Sequence, residues 1–220
     1  MTDLTDFFKN TQNHFNDKGW VVIKNHLDKS MAMMAYSYAI NKVKSVNHKL
    51  TYYHNLHDKD WDGGFNDGQV SDSYYCYGDV FMDTILQNST EFIGKYLGMK
   101  LVPTYSYWRL YENGQELEKH RDRKSCEFSA SLCLGYNTEN LKDNYIWPFY
   151  LQDENGQTIE VLLEPGDLLM YKGMTTYHWR EPYKGLNHAQ VFLHYNKLND
   201  KNNQALDGRT MLGIPKEEKW

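Results

Sequence analysis

Residues 117–135 read LEKHRDRKSCEFSASLCLG, a run of charged side chains that leads into an alternating, strand-like pattern. His120 and Asp122 stand two positions apart in the charged run. Side chains at positions i and i+2 of an extended chain point to the same side, so these two can reach one metal ion while Arg121 points away. The pair fits a solvated turn equally well, because the two residue types meet at this spacing by chance. The sequence farther along decides between the two interpretations.

Residues 162–182, LLEPGDLLMYKGMTTYHWREP, offer a third ligand. A Pro-Gly-Asp turn opens a predicted strand, and His178 follows a second turn. Ferrous iron is commonly held by two histidines and one carboxylate on one face, which leaves the opposite face open. We therefore predict a metal site made of His120, Asp122 and His178. The alternative is that His178 caps a strand end and packs on Trp179.

The second half of the chain carries short strand patterns separated by turn signals such as ENG, DENG and EPGD. The predicted strands are 101–111, 127–134, 146–152, 157–163, 167–172 and 189–195. The helical patterns that precede them are 4–16, Ser30 (as N-cap) to about Val46, and 79–98, with Gly98 as its end. Many short strands with tight turns favour a sandwich or jelly roll. The predicted fold class is α+β with a mostly β core, a double-stranded β-helix (jelly roll) flanked by N-terminal helices.

Composition limits the class of protein. The chain has 220 residues, a net charge of −5 and 40% hydrophobic residues, which suits one domain with a real core. We predict a single domain over 1–220, with helical support at about 1–100, the core at about 101–196 and a tail at 197–220. The three cysteines form no Cys-x-x-Cys pair, and the sequence shows neither a signal-peptide pattern nor an apolar run long enough to span a membrane. These features predict a cytoplasmic protein with no membrane partner, and the evenly spread charge argues against nucleic acid as a partner.

Residues 47–75 are polar and rich in Gly, Asp and Ser, which is long for a structureless loop in a compact domain. The segment is interpreted as either a functional lid or a disordered stretch. As a lid, it would use Trp61, Tyr74 and Tyr75 to close over a substrate and exclude water from the site.

Three segments together resemble one enzyme family. They are YSYWRLYENGQELEKHRD (105–122), PGDLLMYKG (165–173) and HWREPYKG (178–185). The chain is similar, over about residues 100–196, to the Fe(II)/2-oxoglutarate-dependent oxygenases of the prolyl-4-hydroxylase-like branch.

This resemblance implies a jelly-roll core with His120, Asp122 and His178 as ligands of Fe(2+). It implies 2-oxoglutarate and O2 as cosubstrates, ascorbate as an optional reductant, and decarboxylation of 2-oxoglutarate to succinate coupled to hydroxylation of a C–H bond. The implied substrate is a prolyl or other residue of a protein or peptide. A small-molecule metabolite is the alternative substrate, because proteins of this fold vary widely in what they act on. A non-catalytic jelly-roll binding module and a cupin-type metalloenzyme without 2-oxoglutarate are further alternatives.

Three residues are candidates for binding the distal carboxylate of 2-oxoglutarate, and the sequence does not decide among them. The family usually places an arginine or lysine a short distance after the second histidine, at a position that His188 holds here. An anion in a semi-buried pocket needs a cation, and a histidine is no bidentate fork. Arg180, two residues after His178, and Arg109, on the strand that leads toward His120, are the other candidates.

Two further residues are predicted to contact 2-oxoglutarate. Tyr111 resembles the family tyrosine that often hydrogen-bonds this cosubstrate. Ser131 shares one face of its predicted strand with Ser129 and Cys133, and small residues facing a barrel interior leave room for a ligand. The alternative for that face is an ordinary half-exposed strand.

Overall fold

The computed structural model of the protein describes residues 4–142, 144–198 and 205–216. The helices are α1 (Leu4–Lys18), α2 (Lys29–Tyr52), α3 (Lys59–Asp62) and α4 (Val80–Leu97), and short 3-10 helices lie at His54–Leu56 and Ala205–Gly208. The strands are β1 (Trp20–Ile23), β2 (Gly64–Phe65), β3 (Tyr74–Tyr77), β4 (Leu101–Glu112), β5 (Leu117–His120), β6 (Phe128–Asn137), β7 (Phe149–Gln152), β8 (Thr158–Val161), β9 (Leu168–Tyr171), β10 (His178–Arg180) and β11 (Asn187–Lys197).

The strands form two antiparallel sheets. The major sheet has the order β1-β9-β6-β11-β4-β3-β2, and the minor sheet has the order β5-β10-β7-β8. One apolar cluster contains side chains of both sheets, including Phe149 of β7, Tyr171 of β9 and Phe192 of β11. The other face of the major sheet packs against α1, α2 and α4 in a larger cluster. This arrangement confirms the predicted mostly β core flanked by N-terminal helices.

Helix α2 shows why the helices fit closely on the major sheet. Its N-cap is Asp28 and not the predicted Ser30, because the Asp28 carboxylate accepts the backbone N–H of Ser30 at 2.8 Å. Small buried side chains recur every three or four positions, so one face of the helix lies flat on the sheet. They are Ala32, Ala35, Ala39, Val43 and Val46. Gly135 of β6 allows the close approach, since a Cβ there would lie 2.7 Å from the ring of Tyr36.

Much of the segment 47–75 is built into the fold, which differs from the expectation of a lid or a disordered stretch. Helix α2 continues to Tyr52, and β3 pairs with β4 so that Tyr75 lies opposite Arg109. Strand pairing between distant parts of a chain leaves no local sequence signal, which is why the pattern misses β3. Residues 66–73 form an irregular connection between β2 and β3.

Residues 205–216, here called the C-terminal strap, lie against the major sheet. Asp207 and Arg209 are buried although both are charged. The guanidinium of Arg209 donates to Asp83 of α4 at 2.8 Å, and the carboxylate of Asp207 accepts two hydrogen bonds from Arg123 at 2.6 and 2.8 Å. Buried charges are tolerated when they are paired in this way.

None of the helices in the described part of the chain is both long enough and apolar enough to cross a membrane.

Candidate active site

One end of the minor sheet brings His120, Asp122 and His178 together; this set is called the His-Asp-His triad below. His120 ends β5, His178 begins β10, and the two lie directly opposite each other in the antiparallel pair. Oδ1 of Asp122 lies 3.7 Å from Nε2 of His120 and 3.5 Å from Nε2 of His178. The three ligand atoms lie within 4.8 Å of one another. This spacing allows one ion to contact all three.

Both imidazole rings are oriented by backbone carbonyl groups. Nδ1 of His120 donates to the carbonyl of Glu118 at 2.7 Å, and Nδ1 of His178 donates to the carbonyl of Thr176 at 3.1 Å. A carbonyl only accepts, so each Nδ1 carries the proton and each Nε2 presents its lone pair toward Asp122. Burial lowers the pKa of His178 to about 4, which keeps that ring neutral. Metal-binding histidines are commonly held in this tautomer by the same kind of contact.

The second oxygen of Asp122 is fixed from the other side. Ser129 of β6 donates its hydroxyl to Oδ2 at 2.6 Å, and the backbone N–H of Asp122 donates to the carbonyl of Gly173 at 3.0 Å. A Cβ at Gly173 would lie 2.7 Å from Oδ2, so only glycine fits there without displacing the carboxylate. These contacts leave Oδ1 facing the two histidines.

The donor set fits a divalent transition metal. It consists of two imidazole nitrogens and one carboxylate oxygen, which together suit Fe(II) more than Mg(II) or Ca(II). The sequence also carries His54 and His57 three positions apart, but neither belongs to a group of potential metal ligands among the described residues.

A cavity of about 500 Å³ opens beside the triad. Stacked tyrosines from β3 and β4 form one side of it, and this group is called the tyrosine wall: Tyr75, Tyr77, Tyr105 and Tyr107. The rings of Tyr75 and Tyr107 are nearly parallel, at 6° and 5.7 Å between centroids. The rings of Tyr77 and Tyr105 are 4.9 Å apart at 29°. The cavity therefore offers flat aromatic surfaces with hydroxyl groups next to the triad.

Arg109 and Tyr111 face the same cavity from β4. Nη2 of Arg109 donates to the carboxylate of Asp67 and, at 3.2 Å, to the side-chain oxygen of Gln69. Nε and Nη1 of Arg109 and the hydroxyl of Tyr111 are buried without a hydrogen-bond partner among the described residues. Buried polar groups are nearly always hydrogen-bonded, so these atoms indicate a place for a polar ligand.

A second group of polar side chains lies inside the barrel and is called the inner polar cluster: Ser131, Arg180, His188 and Gln190. Gln190 is its centre, because its side-chain oxygen accepts from Arg180 at 3.1 Å and from Nε2 of His188 at 2.8 Å, and its amide donates to Ser131 at 2.8 Å. Arg180 also donates to the carbonyl of Trp147 at 3.2 Å.

The inner polar cluster adjoins the triad. The ring of Phe149 stacks on His178 at 5.7 Å and lies 5.2 Å from the Arg180 guanidinium carbon. Tyr111 lines the main cavity and contacts Trp147 edge-on at 4.9 Å, so it lies between the cavity and the cluster. Burial, and then the nearby Arg180 charge, lowers the pKa of His188 well below its usual range, so that ring is neutral.

The structure brings most of the residues singled out from the sequence to this region, with two exceptions. Tyr75 lines the cavity, whereas Tyr74 points to the opposite face of β3 and packs against Trp108 in the helix-side core. Alternation along a strand makes this separation unavoidable. Trp61 of α3 is 54% exposed and does not line the cavity.

Sequence reasoning missed several polar residues of the site. Gln190 shares a strand face with His188 and His194, and that alternation was the one available signal. Asp67 comes from a Gly- and Asp-rich connection that looks like any turn, so nothing local distinguishes it. Arg123 lines the cavity and is held there by Asp207, a contact between distant parts of the chain.

No protein-family model matches the sequence, and no curated protein sequence matches it. Solved structures do match. A Pseudomonas putida prolyl-4-hydroxylase is 13% identical with a TM-score of 0.61, and the match covers 86% of this chain and 98% of that one. A 2OG-Fe(II) oxygenase family oxidoreductase from Burkholderia pseudomallei is 12% identical with a TM-score of 0.58, covering 90% and 94%. The non-heme alpha ketoglutarate dependent epimerase SnoN from nogalamycin biosynthesis is 15% identical with a TM-score of 0.61, covering 97% and 96%.

These structures extend over nearly the whole length of both chains, and they include both a prolyl-4-hydroxylase and an enzyme of small-molecule biosynthesis. Both the jelly roll and the likeness to prolyl-4-hydroxylases that the motifs predicted are confirmed at the level of the fold. The chain has the double-stranded β-helix fold of the 2OG-Fe(II) oxygenases.

Proposed function

We propose that the protein is an Fe(II)- and 2-oxoglutarate-dependent dioxygenase that hydroxylates a C–H bond of its substrate. The observation that carries the proposal is the convergence of the His-Asp-His triad, with both Nε2 lone pairs and one carboxylate oxygen within 4.8 Å. Hydrogen bonds to both Nδ1 atoms and to the second carboxylate oxygen support it, because metal ligands are commonly oriented in this way. Bound together, iron and 2-oxoglutarate supply the oxidant, as O2 and 2-oxoglutarate are converted to succinate and CO2.

Arg180 is the residue we propose for the distal carboxylate of 2-oxoglutarate. Its side chain is 1% exposed, and no carboxylate of the described chain pairs with it. A buried cation without a counterion is costly, and an anionic cosubstrate would remove that cost. Its Nε, which lacks a partner, is a donor still available for such a ligand. His188, the other leading candidate, is neutral and directs its proton to Gln190, so it supports the cluster without supplying charge.

Tyr111 and Ser131 complete the cosubstrate site in this proposal. Tyr111 lines the cavity beside the triad and contacts Trp147, and its unpartnered hydroxyl would donate to a carboxylate of 2-oxoglutarate. Ser131 acts through Gln190, whose amide it holds. The tyrosine wall lines the cavity beside the triad, where a bound substrate would exclude bulk water and so limit side reactions of a strong oxidant.

The substrate would bind in the cavity beside the triad. A prolyl or other residue of a peptide and a small-molecule metabolite are the two classes to consider, and proteins of this fold include both kinds of enzyme.

The test measures metal binding and succinate release together. Wild-type protein is expected to bind about one Fe(II) or Mn(II) per chain and to release succinate from 2-oxoglutarate in the presence of Fe(II) and O2. Asp122→Ala and His178→Ala should lose both properties, since a three-ligand site does not survive the loss of one ligand. His48→Ala, which removes an exposed histidine of α2, is the matched control.

Two results would count against the proposal. Wild-type protein that binds no metal under any loading condition would be a binding module of the jelly-roll type. Metal binding without succinate release from 2-oxoglutarate would instead indicate a metalloenzyme of another kind.

A further inference from the structure

Arg109 is a buried cation that the proposed cosubstrate site does not use. It is 1% exposed, it lines the cavity beside the triad, and two of its three guanidinium nitrogens have no hydrogen-bond partner in the described structure. Unmade hydrogen bonds of a buried charged group lower the stability of the ligand-free protein. The cavity therefore has a strong, unsatisfied donor for an anion on its substrate side.

The third guanidinium nitrogen of Arg109, Nη2, already binds a carboxylate, which indicates the kind of anion that this side chain can bind. Nη2 donates to a carboxylate of the protein itself, that of Asp67. The hydroxyl of Tyr107 donates to the same carboxylate. Backbone N–H groups of Gln69 and Val70, at 3.0 and 3.3 Å, fix the other Asp67 oxygen in a turn. A carboxylate thus already lies against Nη2 of this guanidinium, while Nε and Nη1 have no partner among the described residues.

The surroundings of Arg109 suit a compact organic molecule. The guanidinium carbon lies 5.4 Å from the ring centroid of Tyr107 and 5.7 Å from that of Tyr111. The tyrosine wall continues from there along the cavity and offers flat apolar surface. A cavity of about 500 Å³ falls within the range of small-molecule sites.

We propose that the substrate is a small carboxylic acid whose carboxylate binds Arg109 and whose carbon skeleton lies on the tyrosine wall, which places a C–H bond near the triad. The inference rests on the proposed function for the reaction at the triad. An internal residue of a peptide, unless it is Asp or Glu, has no carboxylate to offer Arg109, because its carbonyl is part of an amide. A neutral peptide segment can accept hydrogen bonds from the guanidinium through its carbonyl groups, but it brings no negative charge to it.

The experiment compares acids with their own amides. Wild-type protein loaded with Mn(II) and 2-oxoglutarate is titrated by calorimetry with matched pairs: L-proline and L-prolinamide, benzoate and benzamide, and further cyclic and aromatic acids with their amides. The best acid is expected to bind at least about tenfold more tightly than its amide, equivalent to about 1.4 kcal/mol. A blocked peptide with an internal proline is included as the competing substrate class.

Three variants locate the preference. Arg109→Gln should reduce the acid-to-amide ratio to about one while the dissociation constant of 2-oxoglutarate stays within a few fold. Asp67→Asn should act in the opposite direction and tighten acid binding, because it removes a negative charge beside the same guanidinium. Lys119→Gln is the control, since this cation lies on the outer side of β5 over Trp179, at 4.7 Å, and should leave the ratio unchanged.

The inference is overturned if no acid binds better than its amide, or if the blocked peptide binds more tightly than every acid. It is also overturned if Arg109→Gln weakens 2-oxoglutarate as much as the acids, since Arg109 would then serve the cosubstrate. These outcomes are separate from failure of the proposed function. If the protein prefers acids through Arg109 but releases no succinate, the inference about the substrate is supported and the proposed dioxygenase function is contradicted.

Discussion

Arg180 carries an unusual combination of burial and charge. An arginine stays protonated even when buried, and within the described residues this one meets only the Gln190 side-chain oxygen, a backbone carbonyl and aromatic rings. Such a group lowers the stability of the ligand-free protein and gains a counterion when an anion binds. The cost of burying Arg180 is therefore offset when an anionic cosubstrate is bound.

We expect Arg180→Met to weaken 2-oxoglutarate binding by about ten- to a hundredfold, since hydrogen bonds to charged groups contribute about 1.5–3 kcal/mol. The same change should not lower the melting temperature of the ligand-free protein, because methionine fills much of the volume without a buried charge. Calorimetry with Mn(II)-loaded protein and thermal unfolding check the two statements.

His188→Gln is the matched comparison for Arg180→Met. It keeps a neutral donor beside Gln190, so 2-oxoglutarate should bind within a few fold of the wild-type affinity. If His188→Gln weakened binding more than Arg180→Met did, the charge of Arg180 would not be what holds the cosubstrate.

At the scale of elements, the C-terminal strap braces one side of the cavity. Arg123 lines the cavity, and its guanidinium is paired with Asp207 of the strap. Tyr77 of the tyrosine wall donates its hydroxyl to the same carboxylate at 2.8 Å. Asp207 thereby holds two cavity residues at once.

The strap gives a prediction about pH. Burial alone would raise the pKa of Asp207, but hydrogen bonds from Arg123, Ser125 and Tyr77 outweigh it and bring the pKa from 3.8 to about 2. Because the folded pKa lies below that of the unfolded chain, the contribution is fully present above about pH 4 and is lost as the pH falls toward 2. Asp207→Asn should cost about 2 kcal/mol in the free energy of unfolding at pH 6, and the difference from wild type should shrink in acid.

Denaturant unfolding of wild-type protein and Asp207→Asn at pH 6, 4 and 3 measures this difference. Glu154→Gln serves as the control, because this exposed carboxylate pairs, among the described residues, only with Lys172, at 3.5 Å. A difference between wild type and Asp207→Asn that stays constant across the pH range would show that the carboxylate charge is not what matters.

The elements also show where sequence reasoning succeeds and where it stops. Alternation is a local property, so the sequence predicts which residues of β6 share a face, but it leaves open which face lies inside the barrel, and residues 128–135 are buried on both faces. Gly98 ends α4 as predicted, with the positive φ of 68° that glycine favours. The sequence pattern predicts a polar loop where β3 forms, since the strand that pairs with β3 lies far along the chain. The same pattern assigns Tyr74 and Tyr75 to one role, although the sheet directs their side chains to opposite faces.

At the scale of the whole molecule, the site joins the two sheets. His120 and His178 belong to the minor sheet, whereas Ser129, Arg109 and Gln190 belong to the major sheet. Spacing along the chain predicts the two histidines, because they lie at the end of one strand and the start of another. It does not predict the contacts of Ser129, Arg109 and Gln190, since these depend on how the two sheets face each other. The substrate is likewise determined by residues of both sheets, so it could not be predicted from spacing.

A ligand that binds across both sheets should stabilise the entire fold. Ligand present at a hundred times its dissociation constant adds about 2.7 kcal/mol, and in a chain of this size each kcal/mol raises the melting temperature by about 2–4 °C. Mn(II) with 2-oxoglutarate should therefore raise the melting temperature of wild-type protein by about 5–10 °C, and more than either ligand alone. His178→Ala should show no Mn(II)-dependent rise relative to its own ligand-free value. Without the imidazole of His178 the triad lacks one of its three metal ligands, so Mn(II) bound there should be lost together with its stabilising effect. An equal rise of the melting temperature in that variant would mean that the metal binds elsewhere.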